Sequence, residues 1–192
     1  MKINQVLLAT VLVTSTMVAA PQPTTNTLSV KQEGIKYIKM LGGALKTELK
    51  AHMKADKTGL SAAGFCASKA TSITQEVNSK LPKYAKVRRT ALKLRNDKNN
   101  AADALDTKVM KEYVASIAAK TFTPKDIKVV TQGEVTRIYK PLITAPVCLK
   151  CHGSNVSKEI KNLIKTTYPN DQAIHFKEGS LRGVIVSEIT KH

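Results

Sequence analysis

A five-residue motif, Cys148-Leu149-Lys150-Cys151-His152, constrains this chain more than any other stretch of its sequence. Two cysteines separated by two residues and followed at once by a histidine form the C-x-x-C-H pattern of c-type haem attachment. In that chemistry the two thiols bind the porphyrin as thioethers, and the neutral imidazole is an axial ligand of the iron. The motif therefore predicts one covalently bound haem c, attached at Cys148 and Cys151, with His152 as the proximal ligand.

Other chemistries of the same residues stay open at this point. The chain has three cysteines, and Cys66 could complete a Cys₃His zinc site, although structural zinc sites usually recruit a second close-spaced pair of ligands. A dithiol redox pair or a Cys148–Cys151 disulfide would leave His152 without a role. A thioredoxin-type motif also begins a helix in a βαβ unit, whereas we expect this motif in a loop, because a proline precedes it and GSN follows it.

The start of the chain has the pattern of a secretory signal peptide. Lys2 is followed by the short apolar stretch VLLATVLV and by small residues that end at Ala20. The apolar stretch is too short for a transmembrane helix, although Pro21 disfavours cleavage after Ala20 and leaves a retained anchor as the alternative. Haem attachment of the c type takes place outside the bacterial cytoplasm, so the two predictions support each other. We predict a periplasmic protein with a signal peptide over residues 1–20, a flexible leader over 21–34 and a haem domain over 35–192.

The chain is strongly basic, with a formal net charge of +17. A basic chain invites a nucleic-acid interpretation, but export and an aromatic content of only 4% argue against nucleic acid as the partner. The same charge would attract an acidic redox partner, a separate signalling protein or an anionic membrane surface. A solvated lysine-rich surface is the plain alternative.

Predicted helices come first along the chain, and strands follow. Apolar residues at helical spacing predict helices over 30–56, 61–81, 101–120 and 157–167. Strands are predicted about a turn within 128–143 and again over 181–189, whereas the basic stretch 83–100 ends in turn-forming residues. This order predicts an α+β domain with N-terminal helices and a small antiparallel sheet.

The motif does not specify the second axial ligand of the iron. Cys66 lies on the apolar face of the second predicted helix, where a buried structural thiol and an iron ligand would both be placed. Methionines at helical spacing are more often core residues than ligands, and His52 is predicted at the surface. The candidates besides Cys66 are Met40, Met53, Met110, His52, His175 and His192.

Four further stretches occur in a recognisable order: GFCASKA, RRTALKLRNDKNNAAD, IYKPLITAPVCLKCHG and YPNDQAIHFKEGSLRG. Together they resemble a bacterial family of exported single-haem c-type proteins with a PAS-like fold, over roughly residues 35–190. The resemblance implies a PAS-like domain and a cysteine ligand in the N-terminal helical region, which maps onto Cys66. His175 stands where the family tends to have glycine, so a His152/His175 ligand pair stays open.

Arg88, Arg89 and Arg95 lie in the second of these stretches. A planar guanidinium group can donate two parallel hydrogen bonds to one carboxylate, which suits the haem propionates. We therefore predict these residues as propionate contacts, with a solvated basic loop as the alternative.

A haem iron with two protein ligands has no vacant position for a substrate. We therefore predict redox or ligand sensing, with His/Cys ligation that stabilises the ferric state. A small electron carrier that docks on acidic partners is the alternative. A peroxidase or other enzyme is not expected, because the sequence offers no distal acid–base pair.

Overall fold

The computed structural model describes residues 28–123 and 125–190. The predicted signal peptide, residues 21–27 of the predicted leader and the candidate ligand His192 lie outside these ranges. No helix within them is long and apolar enough to cross a membrane. The described helices are α1 (Val30–Ala55), α2 (Leu60–Ser68), α3 (Ala70–Ser79), α4 (Asp97–Asn100), α5 (Ala104–Ala118), α6 (Leu149–His152) and α7 (Lys158–Thr167). The described strands are β1 (Ala85–Thr90), β2 (Lys128–Gln132), β3 (Val135–Ile143) and β4 (Leu181–Thr190), and a 3₁₀ turn (Pro146–Cys148) precedes α6.

The longest helix, α1, begins inside the predicted leader. Ser29 caps it, because the Ser29 side chain accepts the amide of Gln32 and the Gln32 side chain accepts the amide of Ser29. This reciprocal pair is a capping box. Residues 30–34 are therefore already helical, and the predicted leader extends too far into the folded region. Leu41, on the face of α1 that packs on the sheet, is fully buried.

The four strands form one antiparallel sheet with the order β1-β4-β3-β2. The β2–β3 hairpin confirms the predicted pair of strands about a turn. Strand β4 is central, because it pairs with β1 on one side and with β3 on the other. Helices α1 and α3 cover one face of the sheet, and α5 covers the opposite face. The predicted α+β class with N-terminal helices and a small antiparallel sheet is confirmed.

Strand β1 was not predicted, because Val87 is its only large aliphatic residue. Its strand geometry comes from pairing with β4, which places Arg88 opposite Val186 and Arg89 opposite Ile185. Successive side chains of a strand point to opposite faces of the sheet. Arg88 therefore shares the α5 face with Val186, and Arg89 shares the α1 face with Ile185.

The single helix predicted over 61–81 is instead two helices, α2 and α3, which meet at Lys69. The Ser68 hydroxyl donates to the Gly64 carbonyl at 2.9 Å, and this kind of bond often bends a helix. The end of α3 is then tied to β1. The Asn78 side chain donates to the Val87 carbonyl at 2.7 Å and accepts the Val87 amide at 2.8 Å.

A buried ion network holds α5 on the sheet. Asp106 is completely buried, and its carboxylate accepts two hydrogen bonds from Arg88, with N–O distances of 2.8 and 3.0 Å. The Tyr139 hydroxyl donates to the same carboxylate at 3.0 Å. Glu188 accepts from Nε of Arg88 at 2.5 Å. The guanidinium group of Arg88 is therefore bonded to two carboxylates.

Replacement of Asp106 should strongly destabilise the domain, because it leaves the charge of Arg88 partly buried with one carboxylate lost. We expect Asp106→Ala to lower the free energy of unfolding by about 3–5 kcal/mol, the usual cost of removing one member of a buried ion pair. Urea unfolding followed by circular dichroism measures this change. Glu76→Ala is the matched control, because Glu76 pairs with Lys80 at the surface, where an ion pair adds little to stability. Its unfolding curve should stay close to that of the wild type. Equal effects of the two variants would contradict the assignment.

Candidate functional site

The C-x-x-C-H motif follows β3 as a 3₁₀ turn and one turn of α-helix, α6. Pro146 begins the 3₁₀ turn, where its fixed φ and missing N–H are tolerated. The expected loop is therefore wrong for residues 146–152, although residues 153–155 after them are irregular as predicted. The chain leaves α6 at Gly153, where a Cβ atom would lie 2.6 Å from the Leu149 carbonyl oxygen. A side chain at this position would displace the end of the motif.

Three contacts anchor α6 to the rest of the domain. Arg95 donates to the carbonyl of Cys151 at 2.6 Å. Nζ of Lys150 donates to the carbonyl of Lys57 at 2.5 Å, and the Cys151 thiol lies 3.9 Å from the carbonyl of Gly59. Lys57 and Gly59 directly precede α2. The motif is therefore held against the beginning of the helix that carries Cys66.

His152 is held as a neutral imidazole. Its Nδ1 lies 2.7 Å from the Ala173 carbonyl oxygen, so Nδ1 carries the proton and Nε2 keeps its lone pair. Nε of Arg182 approaches that lone pair at 3.5 Å. Burial lowers the pKa of His152 well below its ordinary value, and the charges of Arg182 and Arg95 lower it further. This protonation state and tautomer are those in which histidine binds a metal through Nε2.

Cys66 lies on the side of α2 that faces the motif. Ala63, three residues earlier on the same face, belongs to an apolar cluster between α2 and α7, and Cys151 packs against that cluster. Burial raises the pKa of the Cys151 thiol, Arg95 offsets part of the rise, and a thiolate at Cys66 raises that pKa further. The structure therefore brings Cys66 and the attachment motif into one neighbourhood, although 85 residues separate Cys66 from Cys151 in the sequence.

The three cysteines are free thiols, so no disulfide joins Cys148 to Cys151. Burial raises the pKa of Cys66, and the charges of nearby arginines offset only part of the rise. Among the described residues, no three His, Cys, Asp or Glu side chains lie together so that they could hold a metal ion. The zinc alternative therefore has no ligand cluster there, whereas a haem iron requires at most two ligands from the protein.

The arginines predicted as propionate contacts lie in different environments. Arg88 is bonded to Asp106 and Glu188 on the α5 face of the sheet, so we correct the prediction for this residue. The physical reason is strand alternation, which turns adjacent side chains to opposite faces. Arg89 points to the other face, where it lowers the pKa of Cys66, and its Nη2 lies 3.4 Å from the Ala70 carbonyl oxygen.

Arg95 connects the motif to the segment that orients His152. Its guanidinium group forms a two-point pair with Asp171, in which both N–O distances are 3.2 Å. Its Nη2 also donates to the carbonyls of Cys151, at 2.6 Å, and Ala173, at 3.2 Å. Arg95 therefore has a carboxylate partner and a clear role in positioning the site.

Arg182, at the start of β4, belongs to the site but was not predicted. Its guanidinium carbon lies 5.2 Å from the centre of the Phe176 ring, and its Nε approaches His152. The next residue, Gly183, allows β4 to approach β1 closely, since a Cβ there would lie 2.5 Å from the Thr90 carbonyl oxygen. The only signal in the sequence was its place at the end of the fourth family-like stretch, SLRG.

Most other candidate axial ligands have structural roles. Met110 is completely buried in the core beneath α5, Met40 packs against the core beneath α1, and Met53 is half-buried near the end of α1. His52 is also half-buried, which corrects the expected surface position, and its Nδ1 lies 2.8 Å from the Ser61 hydroxyl.

His175 borders the motif but has an exposed side chain. Its φ of +62° lies in the left-handed region that favours glycine, the residue that the resembling family tends to have there. The backbone amide of His175 donates to the Gly153 carbonyl at 3.2 Å, and its Nδ1 lies 3.3 Å from the Ser154 hydroxyl. The imidazole is thus engaged at the surface.

Comparisons with known proteins agree with this architecture. A family model described as Tll0287-like matches residues 3–190. A solved structure, that of the cyanobacterial heme-protein Tll0287, superimposes with a TM-score of 0.56 over 82% of this chain and 90% of that chain. The two sequences are 21% identical, so this likeness shows a shared fold. A search of curated proteins found no match.

Proposed function

The chain belongs to the Tll0287-like family, and from this premise we propose that it is an exported protein with one covalently bound haem c. The single observation that carries the proposal is the state of His152. Its Nδ1–H is bonded to the Ala173 carbonyl, so Nε2, which Nε of Arg182 approaches at 3.5 Å, keeps the lone pair that would bind iron. The two thiols that would form the thioethers, Cys148 and Cys151, lie in the same short segment.

The residues present fit a haem. The chemistry of the donor set is that of c-type attachment, with two free thiols and a neutral imidazole in one helical turn. Nε of the nearby Arg89 is buried and has no hydrogen-bond partner, as expected of a group that awaits an acceptor. When bound, the haem would supply an iron that changes its charge by one electron.

Each residue has a defined part in this proposal. Cys148 and Cys151 hold the haem, and His152 is the proximal ligand. Cys66, on α2, would be the second protein ligand of the iron, supported by its being near enough to the motif to affect the pKa of Cys151. Arg95 and the Ala173 carbonyl keep the imidazole oriented. The PAS-like assignment of the fold and the periplasmic location belong to the same proposal.

Redox or ligand sensing is the function that this arrangement supports best. The two axial ligands come from separate elements, α6 and α2, and α2 packs in turn against α7. A change in ligation at Cys66 would therefore be transmitted to helices on the protein surface, where a separate signalling protein could detect it. We propose that the protein is not an enzyme, because two protein ligands leave the iron no position for a substrate.

Electron transfer is the second candidate, and two observations favour it. The net charge of +17 would attract an acidic redox partner. Val147, directly before the first attachment cysteine, has 49% of its surface exposed. An exposed apolar residue next to the attachment motif on a basic protein suits brief docking of an acidic protein or of an anionic membrane.

Covalent attachment should depend on the two motif cysteines. Protein exported in a host with c-type maturation should give a c-type pyridine haemochrome spectrum and keep its haem on a denaturing gel. The double variant Cys148→Ala/Cys151→Ala should lose all covalent haem, whereas Cys66→Ser should keep it, since Cys66 forms no thioether. Wild-type protein without covalent haem would contradict the proposed function.

Replacement of Cys66 should change the iron's spectrum. Loss of the thiolate leaves a weaker ligand or an open position, so Cys66→Ser should shift the ferric absorption bands and convert low-spin to high-spin haem. His175→Gly is the control, and its spectrum should match the wild type. The opposite pattern, with Cys66→Ser unchanged and His175→Gly altered, would assign the ligand to His175.

Carbon monoxide distinguishes the two functions. For a sensor, we expect the reduced wild-type protein to bind carbon monoxide, seen as a new Soret band, because one axial ligand must leave when the state of the iron changes. For an electron carrier, both ligands stay, so carbon monoxide should leave the spectrum unchanged while an acidic cytochrome exchanges electrons rapidly and in a salt-dependent manner. Absorption spectra measure the binding of carbon monoxide, and stopped-flow kinetics on the same preparation measure the rate of electron exchange.

A further inference from the structure

Five arginines lie in the sheet or at the site, and three of them have carboxylate partners. Arg137, on β3, forms ion pairs with Asp103 and Asp106. Arg88 is bonded to Asp106 and Glu188, and Arg95 is bonded to Asp171. Within residues 28–123 and 125–190, no ion pair joins Arg89 or Arg182 to a carboxylate. Two guanidinium groups in the site therefore lack a carboxylate at ion-pair distance, although the charge of Asp171 acts favourably on Arg182.

Arg89 is held with an unused hydrogen-bond donor. Its Nε is buried without a partner, and its Nη2 makes one long contact, 3.4 Å, to the Ala70 carbonyl. Burial lowers its pKa, and a thiolate at Cys66 would offset part of that effect. Arg89 is therefore a buried cation with a free donor beside the cysteine proposed as an axial ligand.

Arg182 packs on the Phe176 ring, but its hydrogen bonds are long. Its Nη1 makes one long contact, 3.4 Å, to the Lys93 carbonyl, and its Nε approaches Nε2 of His152 at 3.5 Å. The pKa of Arg182 is lowered to about 10, mainly by burial and in part by the positive charges of Arg95 and Arg89. Arg182 and Arg89 are thus close enough to repel each other.

This arrangement is costly unless an anion enters. Arginine stays protonated at neutral pH even when buried, and a buried charge without a counter-charge is strongly unfavourable. Carboxylate is the anion that suits a guanidinium fork best, since two parallel N–H donors match its two oxygens. Two buried cations therefore call for two carboxylates, and the site lies beside Cys66, Cys151 and His152.

We propose that Arg89 and Arg182 form the carboxylate site of this domain and bind the two propionates of the haem. The inference rests on the proposed function. It assigns the propionates to Arg89 and Arg182 instead of to Arg88 and Arg95, which already have carboxylate partners. The charges balance, because two guanidinium groups carry +2 and two propionates carry −2. Arg182 must also give up its contact with Nε2 of His152 before that nitrogen binds iron, and a propionate offers it a better acceptor.

The test compares charge-matched variants of the haem-loaded protein. Arg89→Gln and Arg182→Gln each remove one positive charge from the site, and Arg89→Lys and Arg182→Lys keep the charge without the fork. Lys86→Gln removes the same charge from an exposed position on β1 and serves as the control. The readouts are the midpoint potential from a redox titration and the resonance Raman band of propionate bending, which responds to hydrogen bonds at the carboxylates.

Loss of a positive charge beside the haem disfavours the added electron. We expect each Gln variant to shift the redox equilibrium toward ferric haem about tenfold, which is about 59 mV for a one-electron couple, and to move the propionate band. The Lys variants should have a midpoint potential close to that of the wild type, but their propionate band should still be shifted. Lys86→Gln should change neither the potential nor the band.

Two outcomes are distinguishable. Absence of c-type haem from the wild type overturns the proposed function and this proposal together. Full haem content with the potential and the propionate band unchanged in Arg89→Gln overturns this proposal alone. If Arg182→Gln does not accumulate, Arg89→Gln alone tests the proposal. This variant should fold, because Nε of Arg89 has no hydrogen-bond partner to lose.

Discussion

The ion pair between Arg95 and Asp171 joins the two segments that together make His152 usable as a ligand. Asp171 accepts the amide of Ala173 at 2.8 Å as well as two bonds from Arg95. Arg95 in turn donates to the carbonyl of Cys151, in the motif. Only about a tenth of either charged side chain is exposed, so these bonds are stronger than they would be in water. The Ala173 carbonyl, placed in this way, sets the tautomer of His152.

The sheet places the adjacent basic residues Arg88 and Arg89 on opposite faces, where they have different roles. Neighbouring side chains on β1 point to opposite faces, so Arg88 stabilises the core beneath α5 while Arg89 joins the site. On the first face the charges are compensated by Asp106 and Glu188. Arg89 and Arg182 have no carboxylate at ion-pair distance within the described chain, and their hydrogen bonds are long. A dianionic ligand bound by Arg89 and Arg182 would offset their repulsion, and its binding would therefore stabilise the fold.

Local pattern was sufficient for several elements of the fold. Helices α1, α5 and α7 were predicted because each has a regular apolar face, and the β2–β3 hairpin because its residues are strand formers about a turn. Strand β1 was not predictable in this way. Its partner on β4 lies about 100 residues later, as the Arg88–Glu188 pair shows, and pairing rather than propensity makes this segment a strand.

The sequence alone determined the class of the fold and was enough to predict the chemistry of the motif. Two thiols and an imidazole within five residues need no tertiary contact to specify their reaction, and amphipathic periodicity reports directly on helices. Tertiary structure alone decided which arginines belong to the site, which nitrogen of His152 carries the proton, and that Cys66 lies near enough to the motif to affect the pKa of Cys151. These properties depend on strand register and on contacts between residues far apart in the chain, such as Arg182 with His152. Neither register nor long-range contact is encoded in local spacing, because both arise only when separate elements pack together.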